Sequence, residues 1–141
     1  VDGAIHRAAG PVLMQQTAER FPEGCPTGSA VATDAGRLKA KFVFHAVGPV
    51  WRGGTANEPK LLTSAFRRCL ELAVEHNCAS IAFPAISTGV YGYPKDLAAE
   101  VSLGTAREHL AQRSAPQLVR FVLFDSDTFG AFARVLETWR S

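Results

Sequence analysis

The stretch Ser87-Thr-Gly-Val-Tyr-Gly-Tyr-Pro94 carries residue types suited to a phosphate-bearing ligand. Gly89 and Gly92 let backbone N–H groups approach an anion closely, Ser87 and Thr88 add hydroxyl donors, and Tyr91 can cover a sugar or phosphate. The helix expected after it adds a favourable potential for negative charge. The same residues also suit a plain strand-to-helix turn with glycines at positive φ. No Gly-Lys-Ser/Thr follows and no Gly-x-Gly-x-x-Gly is present, which tells against triphosphate hydrolysis and hydride transfer.

Asp2 stands where a first helix begins. There it either satisfies free N–H groups as a cap or serves as a carboxylate that orients a water or a ribose hydroxyl. His6, His45, His76 and His109 are scattered over four elements with no His-x-x-x-His or Cys-x-x-Cys pair, so no metal site is expected. His45, inside an apolar strand, reads as a satisfied core histidine. Cys25 has no basic neighbour to activate it as a nucleophile. Phe124, at the end of the last strand-like run, has a face that can stack on a purine, and Trp51 is a candidate lid residue; packing is the commoner role for both.

The elements that must position these residues follow from period and punctuation. Asp2 to Ala9 reads as a short helix, and Pro11 opens a second that reaches about Arg20. Ser29 to Thr33 and Lys41 to Val47 read as strands, the second of the buried type through Phe42, Val43 and Phe44. Gly48 to Pro59 is a surface loop. Leu62, Ala65, Phe66, Cys69, Leu70 and Ala73 form one apolar face of a helix ending near His76. Ser80 to Pro84 is a short buried strand. Lys95 to about Arg113 is a helix with Leu97, Val101 and Leu110 inward. Leu118 to Phe124 is a last strand, and Asp127 can cap a helix carrying Phe129, Phe132, Ala133 and Leu136. Strands alternating with helices predict an α/β sandwich with a largely parallel sheet, whose ligands sit at the carboxyl ends of strands.

A chain of 141 residues suits one domain, and 47% apolar with 20% charged residues excludes disorder. The net charge of +2 provides no basic stripe for nucleic acid. No apolar run is long enough to span a bilayer, and the first twenty residues do not resemble a signal peptide. Three well-separated cysteines do not make a disulfide framework. A cytoplasmic, monomeric protein is the expectation.

Four stretches in order, Val1-Asp-Gly-Ala-Ile-His-Arg-Ala-Ala-Gly-Pro11, Cys25-Pro-Thr-Gly28, Phe42-Val-Phe-His-Ala-Val-Gly-Pro49 and Ser80-Ile-Ala-Phe-Pro-Ala-Ile-Ser-Thr-Gly-Val-Tyr-Gly-Tyr-Pro94, resemble the macro domain family. The likeness is greatest to its MacroD-type ADP-ribosyl-hydrolysing branch. The resemblance implies a three-layer α/β/α sandwich with a mixed, largely parallel central sheet. It implies a surface cleft for ADP-ribose and for ADP-ribosylated proteins, with no cofactor and no metal. It places Ser87, Thr88, Gly89, Val90 and Tyr91 around the diphosphate and distal ribose, Gly3, Ala4 and Ile5 among the ligand contacts, and Phe124 against adenine. Asp2 is the implied catalytic residue for cleaving the ester between ADP-ribose and Asp or Glu side chains, and for deacetylating O-acetyl-ADP-ribose. The family pattern also has a first strand pair, a helix, an Asn-Ala-Ala-Asn segment and a glycine run before the position of Val1. A portion carrying these is expected upstream, because a sheet without its first strands would expose aggregation-prone edges.

Three functions are thus in view: an ester hydrolase, a reader that binds ADP-ribose without chemistry, and an RNA-binding module. Asp2, a carboxylate that a pure reader need not keep, favours the hydrolase, and the small net charge disfavours RNA.

Overall fold

The computed structural model describes residues 2–139, so Val1 of the first motif lies outside the described residues. The chain order is α1 (Asp2–Ala9), α2 (Val12–Arg20), β1 (Ala30–Asp34), β2 (Phe42–Ala46), α3 (Glu58–Glu75), β3 (Ser80–Phe83), α4 (Lys95–Gln112), β4 (Leu118–Phe121) and α5 (Ser126–Thr138). A short connection lets β2 return antiparallel to β1, with Ala30 opposite Ala46 and Asp34 opposite Phe42. The α4 crossover brings β4 alongside β3 in parallel, from Ser80 opposite Leu118 to Phe83 opposite Phe121. The strands are therefore of mixed sense. Between β2 and β3 runs a cleft of about 760 Å3 rather than a ladder.

Helix α3 packs on β1, β2 and β3 and against α4. Its predicted apolar face is the buried face: Leu62, Ala65, Phe66, Cys69, Leu70 and Ala73 are all inside. Phe66 meets Phe83 edge-on at 4.9 Å between ring centroids and lies 6.0 Å from Phe121. Phe66→Ala should cost about 3–5 kcal/mol, the usual range for deleting a buried aromatic ring. Denaturant unfolding reads this directly, and a loss below about 1 kcal/mol would show that the core does not depend on the α3 face.

Several features differ from the sequence expectation. Leu97 and Leu110 point outward, at 43% and 40% exposure; the inward stripe of α4 is Ala98, Ala99, Ser102, Leu103, Thr105 and Ala106. Small residues let α4 pack closely against both α3 and α5. In α5, Phe129 and Leu136 are exposed and the buried residues are Thr128, Ala131 and Phe132. The cap of α5 is Asp125, not Asp127: its carboxylate accepts from the Thr128 N–H at 2.8 Å and from the Thr128 hydroxyl at 3.0 Å. The last strand stops at Phe121 instead of Phe124. Pro84 has no N–H to continue β3, so the ladder ends at the Phe83–Phe121 pair and the chain beyond β4 peels away. Finally, β2 is half-buried rather than buried, because one side opens onto the cleft.

Candidate active site

Parallel pairing sends the chain out of β3 and β4 at the same end of the sheet. The Val122 N–H still donates to the Phe83 carbonyl at 2.8 Å, just past the ladder. The Ser87 loop and Phe124, each only a few residues further on, therefore both follow strand ends at the carboxyl edge. This is where ligands bind in open α/β sheets.

The Ser87 loop is shaped by few internal bonds. The Tyr93 N–H donates to the Ser87 carbonyl at 2.9 Å, and the Gly92 N–H donates to the Gly89 carbonyl at 3.0 Å. Gly92 therefore spends its N–H inside the turn, contrary to the role expected of it as a ligand donor. The N–H groups of Ser87, Thr88, Gly89, Val90 and Tyr91 make no hydrogen bond to any described residue. Successive unpaired N–H groups in one turn form a concave anion receptor. Ser87 has φ +68°, in the left-handed region that non-glycine residues seldom adopt, and its hydroxyl is buried without a partner among the described residues. Gly48 is required beside it: a β-carbon there would collide with Ser87 Oγ and Ile86 Cγ2. A β-carbon on Gly89 would meet nothing within 4 Å, so the outer face of the loop is open.

Helix α1 brings Asp2, Ile5 and His6 to the wall of the cleft that Ile86 also lines, one residue before the loop. The Asp2 side chain is 91% exposed and lies 3.5 Å from His6 Nε2. His6 Nδ1 is buried and unpaired among the described residues, and its ring lies 6.1 Å from that of His45. His45, half-buried on the cleft wall rather than in the core, in turn bonds Thr33 Oγ1 at 2.9 Å. Burial holds the His45 imidazole below its ordinary value; His6 adds to that shift and Asp2 opposes it. His6 was not singled out from the sequence, although its spacing of four from Asp2 on one helix face was the available signal. Gly3 and Ala4 are exposed on the first turn of α1, and neither lines the cleft.

Phe124 is 95% exposed, leaving its ring free. Trp51 is no lid: it is half-buried and packs on Tyr93 with 4.7 Å between ring centroids. Burial pushes the Cys25 thiol up, away from the thiolate a nucleophile requires. Among the described residues no cluster of three or more His, Cys, Asp or Glu could hold a metal ion, and no helix is long and apolar enough to cross a membrane.

The structure thus has an α/β architecture, a loop of unpaired N–H groups after β3 and a carboxylate at the head of α1. The macro domain family model matches residues 1–102, and the chain belongs to that family. It is 51% identical over 138 residues to the O-acetyl-ADP-ribose deacetylase of Citrobacter rodentium, covering 96% of this chain and 78% of the relative. The Salmonella typhimurium protein of the same name is 52% identical over 143 residues, covering 96% and 77%. Among solved structures, the Oceanobacillus iheyensis macrodomain with ADP superposes at a TM-score of 0.91 with 38% identity, over 99% of this chain and 75% of that one. The Trypanosoma brucei macrodomain in complex with ADP-ribose does so at 0.86 with 37% identity, over 96% and 56%.

Proposed function

We propose that this macro domain binds ADP-ribose at the carboxyl edge of β3 and β4 and hydrolyses esters of its distal ribose. O-acetyl-ADP-ribose would yield ADP-ribose and acetate, and ADP-ribosylated Asp or Glu side chains would be released as free carboxylates. The observation that carries this reading is the run of five unpaired N–H groups from Ser87 to Tyr91. Such a run offers a diphosphate several donors without a cationic side chain. The names of the bacterial relatives support the deacetylase step. In this reading Thr88, Gly89 and Val90 hold the diphosphate, and Tyr91 and Ile5 flank the distal ribose. Gly3 and Ala4 form the rim at the α1 terminus. Asp2 orients a water that attacks the ester carbonyl; the carbonyl–oxygen bond breaks and the sugar oxygen leaves with a proton. His6, 3.5 Å away, is placed to hold the Asp2 carboxylate in position.

Phe124 supplies the adenine platform. Phe124→Ala should weaken ADP-ribose binding by about 1–3 kcal/mol, the usual contribution of base–aromatic stacking. Ribose 5-phosphate, which lacks a base, should bind wild type and variant alike. The ring is almost wholly exposed, so little core packing is lost. Titration calorimetry with both ligands tests the assignment, and equal losses would take Phe124 out of the adenine site. The proposal as a whole is tested by incubating the full-length protein with O-acetyl-ADP-ribose and following acetate release. Binding without release would make it a reader.

A further inference from the structure

Glu58, the first residue of α3, is fully buried, and no described cation pairs with it. A buried carboxylate without a counter-ion is tolerated only when hydrogen bonds replace its lost water. Here backbone supplies them: Oε2 accepts from the N–H groups of Arg52 and Gly54, both at 2.8 Å, and Oε1 accepts from the Ala56 N–H at 2.6 Å. Burial by itself would raise the carboxyl pKa. The N–H donors of Arg52, Glu58, Gly54 and Ala56 outweigh it and bring the value down to about 2. What Glu58 adds to the loop is therefore full above its ordinary 4.5 and is lost as pH falls towards 2.

The loop it gathers has a second attachment. Trp51, next to Arg52, donates its N–H to the Tyr91 carbonyl at 2.8 Å, and its ring packs on the buried Tyr93. Among the described residues, that N–H is the only hydrogen bond joining residues 86–92 to another segment of the chain. Together with the buried Tyr93, whose N–H holds the Ser87 carbonyl, Trp51 therefore helps fix where the five unpaired N–H groups point.

We propose that Glu58 is a positioning residue for the anion-binding loop, acting through the 52–56 turn and Trp51 to hold Ser87–Tyr91 in the shape that receives a diphosphate. This rests on the ADP-ribose reading of that loop. A helix cap alone would call for one or two donors from the first turn of α3; here the Arg52 and Gly54 donors come from the preceding loop. Glutamine could not replace the carboxylate, since its amide nitrogen would face one of the three N–H donors.

The test compares full-length wild type with Glu58→Gln for ADP-ribose and for adenosine, which has no phosphate. Amide exchange at Trp51 and Tyr93 is followed in parallel. In the variant these two amides should exchange faster, ADP-ribose affinity should fall about tenfold as preorganisation is lost, and adenosine affinity should stay unchanged. Gly54→Val is the second variant. Gly54 has φ +86° and is exposed, and a β-carbon there would meet the Trp51 ring at 3.2 Å, so valine displaces the turn and Trp51 together, and the same selective loss is expected. If Glu58→Gln does not fold, Gly54→Val decides. Unchanged amide exchange, or equal effects on the two ligands in a folded variant, would overturn the proposal while leaving the ADP-ribose reading intact. Failure of wild type to bind ADP-ribose would overturn both.

Discussion

Replacing Asp2 by alanine is expected to lower the single-turnover rate of acetate release from O-acetyl-ADP-ribose by about 10²–10⁴-fold, the usual contribution of a positioned acid–base or water-orienting group. The same loss is expected for release of ADP-ribose from a modified glutamate. The carboxylate is 91% exposed and touches only His6 among the described residues, so its removal disturbs little of the fold. As a favourable charge in the first turn of α1 it contributes under about 1 kcal/mol. A helix-terminus role alone would thus leave turnover per folded molecule near the wild-type value. ADP-ribose affinity should change far less than the rate if Asp2 acts on the water rather than gripping the ligand. Equal single-turnover rates in folded wild type and variant would remove Asp2 from the mechanism.

Gly89→Glu is expected to abolish ADP-ribose binding while leaving thermal unfolding almost unchanged. Gly89 is exposed, and a β-carbon there meets no atom within 4 Å, so the folded protein accepts the side chain. The glutamate would then occupy the space in front of the unpaired N–H groups and set a like charge against the diphosphate. At about 4 Å and an effective dielectric of about 20, that repulsion is of order 4 kcal/mol, enough for a loss of roughly a thousandfold. Calorimetry on the folded variant measures it. Wild-type affinity would show that the diphosphate does not lie against this loop.

Local chemistry carried much of this protein in plain view. The apolar face of α3 repeats at the helical period, so six of its eight buried residues were readable without any knowledge of what they pack against. Ser87 to Pro94 stood out as a candidate ligand loop from its glycines and hydroxyls between a strand and a helix, although the same residues also suit a plain turn. Asp2 could be located but not assigned, since a cap and a catalytic carboxylate look alike in one dimension.

What the three-dimensional structure alone decided were features that residue type and period do not mark, some set by distant partners and some by local backbone conformation. Phe124 leaves the sheet because Pro84, forty residues earlier, ends the strand that β4 depends on. The inward face of α4 is a stripe of small residues rather than its leucines, because two helices press on it from α3 and α5. Asp125 caps α5 in place of Asp127 because only it has the extended backbone from which a side chain reaches the Thr128 N–H. Glu58 fell within the stretch Gly48 to Pro59 read as a surface loop, and its burial as the first residue of α3 emerged only when the 52–56 turn closed over it. Whether a backbone N–H is free for a ligand depends on every other acceptor in the fold. The five unpaired groups at Ser87–Tyr91 therefore could be counted only once the chain had spent its other hydrogen bonds.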